Sequence, residues 1–414
     1  MKTLFCALIL TMMRELILNN GILACVKRNI NTPRVALSMN FSIVKSEKFS
    51  GQYLLMNRLL LKGTKKYTSE ELSAVLDENA IDLFTEMKSD YLRFRFVALN
   101  EDLDLALTVL SDIVLNSTFE EFEKEKTKLK GEILAELDSA KVKVSDLFTK
   151  TIYKNHFYGH SYTTILEEIE NVTLKDVKEA YLEILNNSRK TLVLVGDVDY
   201  MHAEKLLNEK LAQLPFSTEV NTEIAEPEKI SNEYVEIIKD DAQQAQIIQG
   251  WRVPTINTED YPKLLLLNVI LGASGLSSRL FMELREKKGL AYTVRSSYET
   301  YRKSATFSIY IGTEPSNIQT SIDGFKEEIE KIKNELISED ELENAKNNII
   351  GKQQFVTETN SQQANLMAYY SITDRPYNYQ QIVVENIRKV TAEELKDCAN
   401  KYFTEDSILA VLKP

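Results

Sequence analysis

Apolar and polar positions along the chain alternate between two periods, and the switches mark out its elements. Leu16-Ile17-Leu18 and residues 22–26 flank Asn19-Asn20-Gly21. Asn-Gly between apolar runs tolerates the positive φ angles of a tight turn, so a hairpin is expected there. Val35, Leu37, Met39, Phe41 and Ile43 alternate with smaller or polar residues, which predicts a strand over 35–44. Residues 51–63 read as a helix that stops at Gly63, and Thr68-Ser69-Glu70-Glu71 opens a second helix with an N-cap and early acids. Alternation returns at Ile81, Leu83, Thr85 and at Tyr91, Arg93, Arg95, Val97, which predicts two strands about a turn at 88–90. Helical spacing follows over 103–115, a long charged helix over 117–137 and a further helix over 173–185. The stretch 153–162 reads as loop, and 191–198 as a strand.

Between 215 and 231 the chain turns polar, with Pro227 among many Glu, Thr and Asn, the composition of a linker. Beyond it the first half recurs. Glu121-Phe122-Glu123 with Lys126 and Gly131 matches Glu341-Leu342-Glu343 with Lys346 and Gly351, offset by 220 positions. Val172-Thr173 heading a helix matches Val390-Thr391, offset by 218, and Leu54-Leu55-Met56-Asn57 parallels Leu265-Leu266-Leu267-Asn268, offset by 211. Three matches in one order at nearly constant offset point to a tandem duplication. The expected class is α+β: two tandem homologous domains, 1–214 and 232–414 about a linker at 215–231, each a mostly antiparallel sheet with helices packed on one side.

Composition narrows the function classes. The 414 residues exceed one ordinary core, and 43% hydrophobic with 27% charged residues is the balance of a folded protein. A net charge of -12, from 50 Lys+Arg against 62 Asp+Glu, argues against a nucleic-acid surface, which needs a basic stripe. Cys6, Cys25 and Cys398 are too few and too scattered for a disulfide framework or a Cys-rich zinc site, and they fit a reducing compartment. The apolar run at 4–10 gives way to Arg14-Glu15 with no small-x-small cleavage site. Ile22-Leu23-Ala24-Cys25 resembles a lipoprotein box, but Arg14, Glu15, Asn19 and Asn20 interrupt the apolar segment before it. A cytoplasmic location is therefore expected over export. No run approaches the ~20 apolar residues of a membrane span.

Three stretches carry candidate chemistry. Residues 51–64 have the frame of a zinc-peptidase helix, in which H-x-x-E-H supplies two imidazole ligands and a carboxylate base. Counting back from Lys62-Gly63-Thr64, those places hold Leu54, Asn57 and Arg58, and Asn57 with Arg58 also reads as a polar pair turned to solvent. His156 and His160 have the spacing of two ligands on one helix face, but Gly159 lies between them and no third ligand is placed nearby. His202 reads as a surface residue at a helix start. Residues 277–288 read as a helix, Gly289 as its left-handed cap and 290–294 as a strand, which puts Arg285 in the last turn and Tyr292 at the strand entry. Two readings of that pair stand: Arg285 serves the helix C-terminus and Tyr292 packs on the sheet, or both reach out to substrate. Gly272-Ala273-Ser274-Gly275 lacks any phosphate-loop pattern and reads as a turn, and the polar-aromatic stretch 355–370 reads as helix surface or chamber lining.

Along nearly its whole length the chain resembles the insulinase/pitrilysin (M16) family of zinc peptidases. The resemblance rests on Leu18-Asn19-Asn20-Gly21, Leu61-Lys62-Gly63-Thr64, Glu132-Ile133-Leu134-Ala135-Glu136-Leu137 and Val195-Gly196-Asp197-Val198. In the second half it rests on residues 272–281 and on Leu284-Arg285-Glu286-Lys287-Lys288-Gly289-Leu290-Ala291-Tyr292. It implies a clamshell-type peptidase fold. It places the family's first zinc ligand on Leu54, its general base on Asn57, its second ligand on Arg58 and its third on Glu136, with a supporting glutamate falling on Leu129. One ligand in three cannot hold a hydrolytic Zn²⁺. The resemblance also makes Arg285 and Tyr292 substrate-binding groups that reach a peptide lying over zinc. The expectation is a non-catalytic subunit of a heterodimeric metallopeptidase, with no cofactor of its own, zinc in a homologous partner and a peptide bound as an added strand. The alternative is a pseudoprotease scaffold or peptide-binding protein without peptidase activity.

Overall fold

In a computed structural model the chain is described over residues 13–218 and 223–414. The apolar run at 4–10, Cys6 and the middle of the expected linker, 219–222, lie outside the described residues. Among the described residues no helix is long and apolar enough to cross a membrane.

Eleven strands form two sheets among these residues. The first contains β1 (Met13–Ile17), β2 (Leu23–Arg28), β3 (Arg34–Ser42), β4 (Asp82–Met87), β5 (Tyr91–Leu99) and β6 (Lys190–Gly196), ordered β1-β2-β6-β3-β5-β4. The second contains β7 (Glu233–Ile238), β8 (Ala245–Val253), β9 (Ala291–Thr300), β10 (Ala305–Thr313) and β11 (Ile408–Lys413), ordered β7-β11-β8-β10-β9. With β1 set aside the two orders coincide strand for strand. In each sheet one pair is parallel, β2 with β6 and β7 with β11, and the other pairings are antiparallel.

The helices of the first half are α1 (Gln52–Leu59), α2 (Ser69–Glu78), α3 (Leu103–Asn116), α4 (Phe122–Leu137), α5 (Ala140–Ile152), α6 (Tyr162–Glu168), α7 (Leu174–Asn187) and α8 (Tyr200–Lys210). Those of the second are α9 (Tyr261–Asn268), α10 (Ile318–Asn334), α11 (Glu339–Phe355), α12 (Asn360–Ile372), α13 (Tyr379–Lys389) and α14 (Ala392–Tyr402). The repeated motifs prove to be repeated jobs. Thr173 and Thr391 each head a helix through a full capping box, with Asp176 and Glu394 as the reciprocal acids. Lys126, buried on α4, donates to the carbonyls of Glu170 and Val172 just before the first box. Lys346 on α11 donates to the carbonyl of Arg388 just before the second. Each lysine holds the chain just before the point where a helix must start.

The two faces of each sheet are covered differently. On β3 the side chains of Val35, Leu37, Met39 and Phe41 point one way, and the small or polar Ala36, Ser38, Asn40 and Ser42 the other; all are buried. The large-residue face carries helices of its own half, with α7 against β3 and α3 against β5. The small-residue face carries α12, which comes from the second half and packs on β3 and β6. There Cys25, Ala36, Val193 and Val195 form one core cluster with Ala364, Met367, Ala368 and Tyr377. The reciprocal arrangement covers the second sheet, where α5 from the first half packs on β8 and β11. Gly250 on β8 makes room for it, since a Cβ there would lie 2.4 Å from Phe148 Cζ.

The compact units are therefore not contiguous halves. One comprises the chain up to Lys130 with Glu167–Ile224 and Gln354–Tyr379; the other comprises Gly131–Leu166, Ala225–Gln353 and Gln380–Pro414. The stretch 355–370, read from sequence as helix surface or chamber lining, contributes a core helix, with Ala364 and Ala368 fully buried. Helix α5 escaped the sequence reading because Val142, Val144, Thr149, Thr151 and Ile152 give it weak helical propensity. Its apolar face is satisfied by a sheet that lies far along the chain. Gly250→Val should overpack the α5 contact and lower stability by about 1–3 kcal/mol, read as a reduced urea midpoint with an unchanged slope.

Candidate functional site

Helix α1 is built to hold a row of side chains. Gly51 enters it in the left-handed region at φ 88°, and the Glu47 carboxylate accepts from the Gly51 and Tyr53 N–H groups at 3.2 and 2.7 Å. Leu55, Met56 and Leu59 are fully buried beneath it, and Leu54, Asn57 and Arg58 are half-buried on the opposite side. The turn after α1 reaches Gly63, at φ 113°.

Asn57 and Arg58 are not a solvated pair. The Arg58 Nε donates to Glu125 Oε2 at 3.2 Å, and Lys62 Nζ lies 2.9 Å from Glu125 Oε1 and 3.4 Å from Glu121 Oε2. The Glu125 side chain is only 4% exposed. Burial pushes its carboxyl pKa up, but hydrogen bonds from Lys62 and then Arg58 outweigh that and hold it below the ordinary range. The Asn57 carbonyl accepts from the Thr85 hydroxyl at 3.3 Å, and the Asn57 Oδ1 is buried without a hydrogen-bond partner among the described residues. On α4, Leu129 is buried and Glu136 is exposed near the helix end. Among the described residues no group of three or more His, Cys, Asp and Glu could hold a metal ion.

The two spaced histidines bracket a 3₁₀ turn, Phe157–Gly159. His156 Nδ1 accepts from the Tyr158 N–H at 3.1 Å, which leaves Nε2 to donate to the Ala225 carbonyl at 3.0 Å. Burial, and after it the charge of Arg252, lower the His156 pKa against the raising pull of that carbonyl. Gly159 is required by close approach, because a Cβ would sit 2.3 Å from the Tyr153 carbonyl oxygen. Tyr158 stacks on Tyr301 at 4.5 Å. The turn is thus a packed aromatic corner. His202 is exposed in the first turn of α8.

Arg285 and Tyr292 stand on either side of one helix-to-strand corner. The helix expected over 277–288 is regular only at Arg279 and Leu280, and Phe281–Lys287 is π-helical. The N–H of Lys288 bonds the Glu283 carbonyl, five residues back, at 3.2 Å. Gly289 at φ 64° then ends the turn, with its N–H on the Arg285 carbonyl and the Leu290 N–H on the Leu284 carbonyl. Strand β9 follows at once as the terminal strand of its sheet. The Arg285 guanidinium lies 4.7 Å from the Phe281 ring centre and makes no ion pair among the described residues. Tyr292 is 80% exposed, so its ring does not pack on the sheet.

The corner is gripped by two glycines and an ion pair. Gly272 lies in a second π-helical segment, Val269–Ala273, rather than in the simple turn expected; a Cβ there would fall 2.2 Å from the Ser296 N on β9. Ser296 Oγ donates towards Asn268 Oδ1 at 2.7 Å. From the other side, a Cβ on Gly324 of α10 would meet Leu284 Cδ2 at 2.3 Å. Arg279 makes two 2.7 Å hydrogen bonds with the Glu341 carboxylate. The duplication places α9, the 281–287 segment and β9 in the same order as α1, α2 and β4, and β4 and β9 are corresponding terminal strands.

Two outcomes follow from these surroundings. Arg58→Met should cost about 1.5–3 kcal/mol, the range for a hydrogen bond to a charged group. Because the folded Glu125 pKa is depressed, that stabilisation is present above the ordinary carboxylate pKa of about 4.3 and is lost as pH falls through the folded value. Urea midpoints of parent and variant should therefore converge in acid. His156 has the opposite sense of charge: the unfolded imidazole takes a proton near pH ~6.5, before the folded one, so stability falls as pH drops below about 6.5. His156→Asn keeps an acceptor for the Tyr158 N–H and should flatten that slope.

Comparison with known proteins agrees with this architecture. The profile described as "Insulinase (Peptidase family M16)" matches residues 35–168, and that described as "Peptidase M16 inactive domain" matches residues 171–349. The chain is 25% identical over 410 residues to the "Uncharacterized zinc protease YmxG" of Bacillus subtilis, covering 97% of this chain and 98% of that protein. It is 25% identical over 354 residues to the "Non-peptidase homolog YmxG" of Helicobacter pylori, covering 83% and 79%. Among solved structures, a protease from Helicobacter pylori superposes with a TM-score of 0.88 at 22% identity, covering 97% of this chain and 99% of that one. With two profiles of one family spanning most of its length, the chain belongs to the M16 (insulinase) peptidase family.

Proposed function

We propose that this chain is the non-catalytic subunit of a heterodimeric M16-type zinc metallopeptidase and lends Arg285 and Tyr292 to a zinc site held by a homologous partner. The observation that carries this reading is the Arg58–Glu125–Lys62 cluster, at the place where the resemblance puts the second zinc ligand. A hydrolytic Zn²⁺ needs three lone-pair donors and an open position for water. Leu54 offers none, Arg58 is a cation without an acceptor atom, and Asn57 cannot take a proton from water. The residues present do not fit zinc, and no hydrolytic step is assigned to this chain alone.

What Arg285 and Tyr292 can do is bind and orient. A guanidinium without an ion pair can hold substrate carbonyls, and an exposed phenol can donate to the oxyanion that forms when water attacks a peptide carbonyl. Arg285 lies just before the terminal strand β9 and Tyr292 at its start, and the outer edge of that strand suits pairing with an extended peptide.

The purified chain should carry no stoichiometric zinc and cleave no peptide, and mixing with a zinc-bearing homologue should produce cleavage. In that mixture Tyr292→Phe should lower kcat/KM by about 10²–10³-fold, the loss for one oxyanion donor, and Arg285→Ala should weaken it as well. Zinc and turnover in the lone chain would overturn the proposal. Cleavage indifferent to both substitutions would favour a scaffold role.

A further inference from the structure

The chain passes between the two compact units five times, after residues 130, 166, 224, 353 and 379. Only the third passage belongs to the polar connection at 215–231. The other four bracket Gly131–Leu166, which carries α5, and Gln354–Tyr379, which carries α12.

Both sheets receive the incoming helix in the same manner. The first presents small residues, Ala36, Val193 and Val195, against Ala364 and Ala368 of α12. Asn360, at the helix start, donates to the Arg34 carbonyl at 2.9 Å, and Arg93 on β5 donates to the Asn365 carbonyl at 3.4 Å. The second sheet presents Gly250 to Phe148, and Arg252 on β8 donates to the Ile152 carbonyl of α5 at 2.9 Å. In each unit an arginine of the sheet thus bonds a backbone carbonyl of the foreign helix. Without α12 the first sheet would bare Ala36, Val193, Val195 and Cys25, and without α5 the second would bare Gly250 and the residues around it. A sheet with one uncovered apolar face lacks a layer of its core.

From this symmetry we infer that the two halves of the chain are obligate partners: each sheet face is a receptor for the other half's helix, and the exchanged helices, rather than the connection at 215–231, hold the halves together. The inference is independent of the roles given to Arg285 and Tyr292. Its consequence is that one break in the connection leaves the protein assembled.

The test uses the full chain with a specific protease recognition sequence placed within 219–222 and cut to completion after purification. The two fragments should co-elute without denaturant at the volume of the uncut chain. Their urea midpoint should become dependent on protein concentration, as for any two-chain assembly, while that of the uncut chain stays independent of it. Backbone amides of 140–152 and 360–372 should exchange with solvent as slowly as before the cut. Fragments that separate on the column would overturn the inference. So would fragments that stay together while the amides of those two helices exchange freely.

Discussion

A β-sheet has two faces, and neither can be left bare when its residues are apolar or small. Strand β3 shows the constraint at its plainest, because every residue from Val35 to Ser42 is buried although only alternate ones are large. Helices of the same half cover the large residues. The small ones admit a closely approaching helix and little else, and each half meets that need with a helix of the other. The duplicated strand order, the capping boxes at Thr173 and Thr391 and the lysines before them reproduce one scaffold twice. The exchange of α5 and α12 makes the two copies interdependent.

On this scaffold two corresponding helix-and-strand modules have been given different chemistry. In the first, α1 and the turn after it bring Arg58 and Lys62 onto the nearly buried Glu125, so that positive charge and carboxylate compensate each other in a place of low solvent access. In the second, the π-helical turn and Gly289 leave Arg285 without an ion-pair partner among the described residues and Tyr292 in solvent. The charges of the first module are paired within the protein, whereas in the second Arg285 is half-buried against Phe281 and Tyr292 is exposed.

Much of the fold was readable from local pattern. Asn20-Gly21 marked the first hairpin, Thr68 and Glu71 the second helix, and the offsets of Lys126 and Thr173 the duplication, because each of these signals lies within a few residues of its effect. What depended on distant partners was not readable. Glu125 is 67 positions from Arg58, so nothing near Asn57-Arg58 announced that the pair would be drawn inward. The stretch 355–370 looked like surface because its polar residues are frequent and its buried ones, Ala364 and Ala368, are small. Gly272 passed for a turn glycine, although its lack of a side chain serves contact with Ser296, a neighbour brought in by β9. The Arg285 and Tyr292 spacing did identify the corner, because Gly289 fixes both sides of it at short range.

The ion cluster on α1 also changes what the fold depends on. A metal centre ties the folding of its surroundings to supply of the ion and to the protonation of its ligands. A guanidinium is tethered by its own side chain and keeps its charge across the whole range in which proteins survive. Strong chelators have nothing to remove from Arg58 and Glu125. The helix that in a metallopeptidase would carry metal ligands here carries an arginine paired with a carboxylate of the same chain.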